Sequence, residues 1–498
     1  MAPAIPHLYN GGAIPLSEVP VLDFAGFRQA LISHVSGGER LSALFAAPAG
    51  SGMRLYAVLC SPLREQVELV SADAAGSYPS LTPDCPAAHW FEREIFEQWG
   101  ILPEGHPWLK PIRFQPPRAG GREPQTVGVT GFFSMEGEEV HEVAVGPVHA
   151  GVIEPGHFRF QCHGETVYHL EISLGYQHRG IERALAGGPH RRTLCQVETI
   201  AGDSTVGHAA AYCAVMEALS GARAPAAAER LRAVAAELER MANHIGDLGA
   251  LAGDVGFLPT LNYCGRIRGD VLNLTALVCG NRFGRGLLAP GGVAWGMDGA
   301  RRDLLLARLD AVEKDLDSAV PLMFEAPSVL GRFERTGRLD AETARKIGLV
   351  GPAGRACGLS HDVRTRLPYS AYRFDILPTS TFHTGDCFAR AYVRWLEVEQ
   401  SIAFIRRQLS GPPPGENLLG QAGPPGPGLI AVALTEGWRG EICHVAATDE
   451  VGRFAFYKVV DPSFHNWQGL ALALKGQQIS DFPLCNKSFN LSYCGHDL

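Results

Sequence analysis

The stretch "GHFRFQCHGETVYHLEISLGYQHRGIERAL" (156–185) changes its period midway. From Gly156 to Gly175 apolar and polar residues alternate, as in half-buried strands. "EEVHEVAVG" (138–146) alternates in the same way, so a β-meander is expected. Past Gly175 the alternation ends and "HRGIER" (178–183) reads as the approach to a helix. From there the pattern is mostly helical. "PAAAERLRAVAAELERMANHIGDLGALAG" (225–253) has Pro at its start, an Ala/Leu/Glu/Arg body and a Gly-rich end. "DCFARAYVRWLEVEQSIAFIRRQL" (386–409) is a second long helix with Asp386 as its expected N-cap. "SGPPPGENLLGQAGPPGPG" (410–428) reads as a loop, and 428–460 as an antiparallel hairpin.

The N-terminal part has another rhythm. "LSALFAAP" (41–48) and "MRLYAVLCS" (53–61) read as paired strands. In "HWFEREIFEQWGI" (89–101) the spacing of Trp90, Phe91, Ile95, Phe96 and Trp99 fits an amphipathic helix. "QPPRAGGREPQTVG" (115–128) has no periodicity and reads as a linker. The expected fold class is α+β. A small N-terminal α/β domain (1–114) and a linker (115–138) precede a large, mainly helical domain with flanking antiparallel β-sheet (139–498).

Composition is that of a globular chain: 498 residues, 46% apolar and 19% charged. A formal net charge of −8 argues against general nucleic-acid binding, which needs a basic face. "MAPAIPHLYNGGAIPL" has neither a charged n-region nor an apolar h-region, so no secretory signal is expected. No apolar run is long enough for a membrane span. The twelve cysteines include no CxxC pair; the nearest two are Cys485 and Cys494. Most are expected to be buried small apolar residues.

Six motifs occur in one order: "EPGHFRF" (154–160), "GYQHRGIERAL" (175–185), "ERMANHIGDLGALAGDVGF" (239–257), "PGGV" (290–293), "GPAGRACGLSHDVRTRLPYSAY" (351–372) and "RGEICHVAATDE" (439–450). Together they resemble the large subunit of membrane-bound energy-converting nickel–iron hydrogenases, which is similar to the 49-kDa subunit of respiratory complex I. "SYPSLTPDCPAAHWFEREIFEQWGILPEGHPWLKPIRF" (77–114) resembles the complex I 30-kDa subunit. The whole chain is similar to fused proteins of the formate hydrogenlyase and hydrogenase-4 type.

The resemblance implies two CxxC pairs holding nickel and iron through soft thiolates. In register with His208 the first pair falls on Ala201 and Ser204; in register with Ser488 and Asp497 the second falls on Ser492 and Gly495. Cys494 stands one position from a ligand slot and Cys195 six residues before one. No metal and no cofactor bound by this chain is therefore expected. Iron–sulfur clusters are expected in partner subunits.

The resemblance also implies quinone chemistry as in complex I, with His149 in the position of the loop histidine and His157 as a further acceptor-binding candidate. The tyrosine that would bind the quinone falls on Ile200, which has no donor. His149 and Asp203 are then a possible alternative pair. Glu154 matches a proton-relaying carboxylate of the hydrogenases; a strand-end contact is its plain alternative. Glu198 and Asp203 are either a coupled proton-transfer pair or part of a solvated turn. His208 is either a satisfied core histidine or a cavity residue. Arg179 with Glu182 reads as an ion pair at the start of a helix, with a proton path as the alternative, and Asp362 with Arg364 as an ion pair. Phe482, Leu484, Phe489, Leu491 and Tyr493 are expected to anchor the tail, with Ser492 and Ser204 bonded across the metal's place directly or through water.

The function implied is a hydrogenase-like, complex I-like subunit of a membrane-bound oxidoreductase, coupling electron transfer to ion translocation on the cytoplasmic face of the membrane. The implied partners are an iron–sulfur small subunit, a ferredoxin-like subunit, a membrane anchor and antiporter-like subunits. Two alternatives are an oxidoreductase subunit binding a quinone or other acceptor in the vacated cavity, and a structural scaffold for the small subunit.

Overall fold

The computed structural model describes residues 7–498 except 62–64, 120–122, 124, 152, 416, 417 and 421. Parts of both Pro/Gly-rich stretches thus lie outside the described residues. The remainder of 115–128 and 410–428 forms no helix and only isolated bridges.

The two strands read at 41–48 and 53–61 do pair, and a third strand that was not read from the sequence completes a meander. Arg40–Ala49, Gly52–Ser61 and Gln66–Ala74 run antiparallel, with Leu44 opposite Ala57 and Tyr56 opposite Ser71. His7–Leu8 pairs antiparallel, and Val21–Leu22 parallel, with the Gln66–Ala74 strand. The amphipathic helix His89–Trp99 buries Trp90, Phe91 and Ile95 and ends at Gly100 in the left-handed region.

In the larger unit Val140–Val145, His157–His163 and Thr166–Ser173 form the three-stranded meander read from the sequence. Ala226–Asp254 is one helix of 29 residues starting after Pro225. Its buried Leu231, Val234, Leu238, Met241, Ile245, Leu248 and Ala252 follow a three-four spacing, the stripe that packs on Leu258–Cys279 and Cys387–Leu409. Asp386 caps Cys387–Leu409 by accepting from the Ala389 N–H at 2.9 Å.

The expected hairpin at 428–460 is larger than a hairpin. Leu429–Gly437, Gly440–Thr448 and Phe454–Val460 form a meander, and Gly12–Pro15 joins it as a fourth strand. Asp449 makes the extra turn: its side chain accepts from the Val451 and Arg453 N–H groups and folds the third strand back. Residues of the first 114 therefore contribute to both main sheets. The two-residue turn between the first two of these strands presents Arg439, with Gly440 (φ +134°) backed against Gly351. A Cβ on Gly351 would stand 2.0 Å from the Arg439 carbonyl oxygen, so only glycine permits this approach.

Candidate functional site

Two segments meet at Arg439, in the turn between Leu429–Gly437 and Gly440–Thr448: the 199–204 turn and the C-terminal tail. The tail ends in the helix Tyr493–Asp497. The stretch that follows the central meander cradles it. The N–H groups of Gly175 and Gln177 donate to the Asp497 carboxylate at 2.8 and 2.9 Å, and those of Arg179 and Gly180 donate to the Leu498 carbonyl. The Arg179 guanidinium donates to the carbonyls of Thr199, Ile200 and Cys494 at 2.7–2.9 Å, stitching turn to tail. The expected Arg179–Glu182 pair does not form. Glu182 binds Lys458 at 2.8 Å and Arg118 at 3.0 Å, because its helix turns it toward the Phe454–Val460 strand. Burial pushes its carboxyl up, but Lys458 and Arg118 outweigh this and hold it at about 2. Asp362 and Arg364 do pair, at 2.7 and 3.0 Å.

Ala201 and Ser204 are buried in the turn, Ser204 just before the helix Thr205–Ser220. Ser492 caps the last helix, its Oγ accepting from the Gly495 N–H at 2.9 Å. Ser204 Oγ lies 3.5 Å from Arg439 Nη1. The two serines thus bond to these partners rather than to each other. Gly495 presses on Asp461: a Cβ added there would lie 2.7 Å from the carboxyl. Phe482, Leu484, Phe489, Leu491 and Tyr493 are all buried, the anchors expected of the tail.

His208 belongs to a buried chain. Its Nε2 is 3.0 Å from Asp461 Oδ2, its Nδ1 is 3.1 Å from His444 Nε2, and His444 Nδ1 is 2.9 Å from the Tyr457 hydroxyl. One proton assignment satisfies all three contacts: Tyr457 O–H donates to His444, His444 Nε2–H to His208, and His208 Nε2–H to the carboxylate. Burial and the neighbouring His208 push His444 well below the ordinary histidine range. Burial raises the Asp461 carboxyl, but His208, together with Arg439 and Ser463, outweighs this and leaves it below its ordinary value.

Glu154 accepts from the N–H groups of Tyr493 and Cys494, both at 3.3 Å. This places it on the tail. Burial and the Glu154 charge push the Cys494 thiol up to about 12. Cys195, by contrast, is exposed. Glu198 and Asp203 do not act on each other. Glu198 accepts from the Gly286 N–H at 2.7 Å and is raised by burial. Asp203 receives two bonds from Arg439, at 2.6 and 2.7 Å. Nor does His149 pair with Asp203: its Nε2 donates to the Gly156 carbonyl at 3.0 Å. His157 Nδ1 donates to the Gly146 carbonyl at 3.2 Å, and its ring lies against Phe132. Both histidines tie down the loop at 146–156.

Sequence reasoning missed Glu239, Arg439, Asp461 and His444. Glu239 accepts from the N–H groups of Val206 and Gly207, the start of a helix. Burial nonetheless pushes its carboxyl to about 8, against those two bonds and with the Asp203 charge adding to the rise. A signal was present in "ERMANH" (239–244). Residues four apart share a helix face: Glu239 and Asn243 face the turn, Asn243 donating to the Asp203 carbonyl at 2.9 Å. Arg240 and His244 face Glu397, at 3.2 and 2.9 Å. Glu397 in turn binds Arg355 at 2.7 Å, in a buried ion network that also holds Glu237, Asp362, Arg364 and Glu436.

Two family models match this chain. Residues 254–423 match the respiratory-chain NADH dehydrogenase 49 Kd subunit, and residues 26–121 the 30 Kd subunit. The carbon monoxide-induced hydrogenase of Rhodospirillum rubrum is 34% identical over 352 residues, covering 70% of this chain and 97% of the relative. Formate hydrogenlyase subunit 5 of Escherichia coli (strain K12) is 29% identical over 84% of this chain and 76% of its own. NADH-quinone oxidoreductase subunit 4 of Thermus thermophilus is 29% identical over 69% of this chain and 90% of its own. The chain belongs to the family of oxidoreductase subunits that unites hydrogenase large subunits with the 49-kDa subunit of respiratory NADH dehydrogenase, with a 30-kDa-type domain fused on the same polypeptide.

Proposed function

We propose that this chain is a subunit of a membrane-bound oxidoreductase complex coupling electron transfer to ion translocation, without a nickel–iron centre of its own. Family membership supports the first part. The site supports the second. Nickel and iron need soft anionic sulfur, and Ala201, Ser204, Ser492 and Gly495 offer two hydroxyls and no thiolate. The observation that carries the reading is the contact of Gly495 with Asp461, where the Cβ of a cysteine would meet a carboxyl at 2.7 Å. The Arg439–Asp203 pair occupies the space next to Ser204. Cys494, with its thiol pushed up to about 12, stays protonated and is no ready ligand.

Metal analysis of the complex purified from nickel-supplemented cells tests this. The expected content is below about a tenth of an equivalent of nickel, since no soft donor set is present. Stoichiometric nickel with cyanide or carbonyl infrared bands would overturn it.

Within such a complex the partners would be an iron–sulfur small subunit and a ferredoxin-like subunit, which hold the clusters, with a membrane anchor and antiporter-like subunits below. Among the described residues no helix is long and apolar enough to cross a membrane. In this reading the chain meets the cytoplasmic face through those partners. A scaffold role has the same filled site in its favour: Gly495 lies against Asp461, and Arg439 pairs with Asp203 beside Ser204. Turnover of a quinone analogue by the complex, lost in Glu154→Gln, would favour acceptor chemistry instead; unchanged complex activity in that variant would favour the scaffold.

A further inference from the structure

Four side chains from four segments converge at one edge of the N-terminal sheet. His34 lies in the last turn of the helix Phe24–Ser36, Glu39 in the turn after it, Glu68 on the strand Gln66–Ala74 and His7 on the strand His7–Leu8. His7 and Glu68 are directly opposed in the register. His34 Nε2 is 2.8 Å from Glu68 Oε2 and 3.5 Å from Glu39 Oε2, and His7 Nδ1 is 3.3 Å from Glu68 Oε1. Glu39 Oε2 is buried, and no group among the described residues donates a hydrogen bond to it. One ligand atom from each of His34, Glu39 and Glu68 falls within 4.8 Å of the others.

The protonation of His34 is constrained. Its Nδ1 is 2.6 Å from the Ala30 carbonyl, which only accepts, so that nitrogen carries a hydrogen. In the neutral ring Nε2 then turns a lone pair toward two carboxylate oxygens. A divalent cation placed where the three atoms meet would engage all of them. An imidazole whose far nitrogen donates to a backbone carbonyl is also how metal-bound histidines are oriented. Arg40, next to Glu39, directs its guanidinium elsewhere, to the Gly348 and Leu349 carbonyls and to Glu441.

We infer that His34, Glu39 and Glu68 form a binding site for a divalent cation of the zinc class. Imidazole nitrogens mixed with carboxylates suit zinc better than magnesium or calcium, which prefer all-oxygen sets. The site opens on a cavity of about 650 Å³ lined by His34, Glu39, Arg345, His361 and Arg366, which provides an entry path. A bound cation clips the end of the first helix and the turn after it to the strand Gln66–Ala74.

The test is titration of the chelator-stripped, dialysed full-length chain with Zn²⁺ against a chromophoric chelator at neutral pH. The expected result is one tightly bound equivalent and a raised Tm with zinc. In Glu39→Gln and in His34→Ala the affinity should fall by about tenfold or more. Glu39→Gln, in a surface turn, keeps the test valid if His34→Ala fails to fold. Absence of saturable binding in the unmodified chain overturns the proposal. So does zinc binding of equal strength in the unmodified chain and Glu39→Gln.

Discussion

Arg439 reaches the Asp203 carboxylate with two nitrogens, at 2.6 and 2.7 Å, and the Asn490 carbonyl with a third, at 2.5 Å. One buried guanidinium, stacked 3.9 Å over the Trp438 ring, thus joins the 199–204 turn to the C-terminal tail. Removing Asp203 leaves this charge buried without its partner. Asp203→Asn should lower stability by about 3 kcal/mol, the low end for a broken buried pair, because the Asp203 side chain is partly open to solvent. Urea unfolding measures this. A midpoint equal to that of the unmodified chain would remove the pair from any structural role.

Cys494 should resist alkylation near neutral pH while exposed Cys195 reacts. The Glu154 carboxylate disfavours the Cys494 thiolate, so Glu154→Gln should lower the thiol's pKa from about 12 and speed its alkylation. Peptide mass spectrometry after timed iodoacetamide treatment reads both sites. An unchanged Cys494 rate in that variant would mean that burial alone sets it. The same variant should reduce coupled ion transport if Glu154 relays protons, since glutamine keeps the shape but does not titrate. Full transport would take Glu154 off the path.

Glu239 makes stability depend on pH with a definite sign. Its folded-state value, about 8, lies above the ordinary 4.5. A carboxyl raised on folding contributes stability that is complete at low pH and is lost as pH rises through its folded value. Over this window the Glu239 contribution should decline from mildly acid to mildly alkaline solution. Glu239→Gln should flatten that part of the profile. Denaturation midpoints across the window decide it; parallel profiles for the two proteins would contradict the assignment.

Gly495→Ala is the smallest test of the filled site. The added methyl would meet the Asp461 carboxyl, which His208 and the Ser463 N–H hold in place. A loss of about 1–3 kcal/mol is expected, as for overpacking in a dense core. A variant as stable as the parent would show that the tail has room there, and the case against a metal ligand at that position would weaken.

The periodicities of the chain by themselves determined the meander at 140–173, the helices at 226–254 and 387–409 and the Asp386 cap. These follow from contacts within a few residues, or from a face that must be buried whatever covers it. The order of the motifs determined the family. The sequence left the partners of individual charges open. Arg179 and Glu182 are neighbours in sequence, yet the fold sends one to the tail and the other to Lys458. His208 meets Asp461 across 253 positions, and Arg439 meets Asp203 across 236. No local pattern selects such partners. They are chosen by where sheet, helix and tail bring buried polar groups together, and by the cost of leaving any of those groups unpaired. The strand Gly12–Pro15 makes the same point for the backbone: its place beside Leu429–Val432 was settled by a free sheet edge.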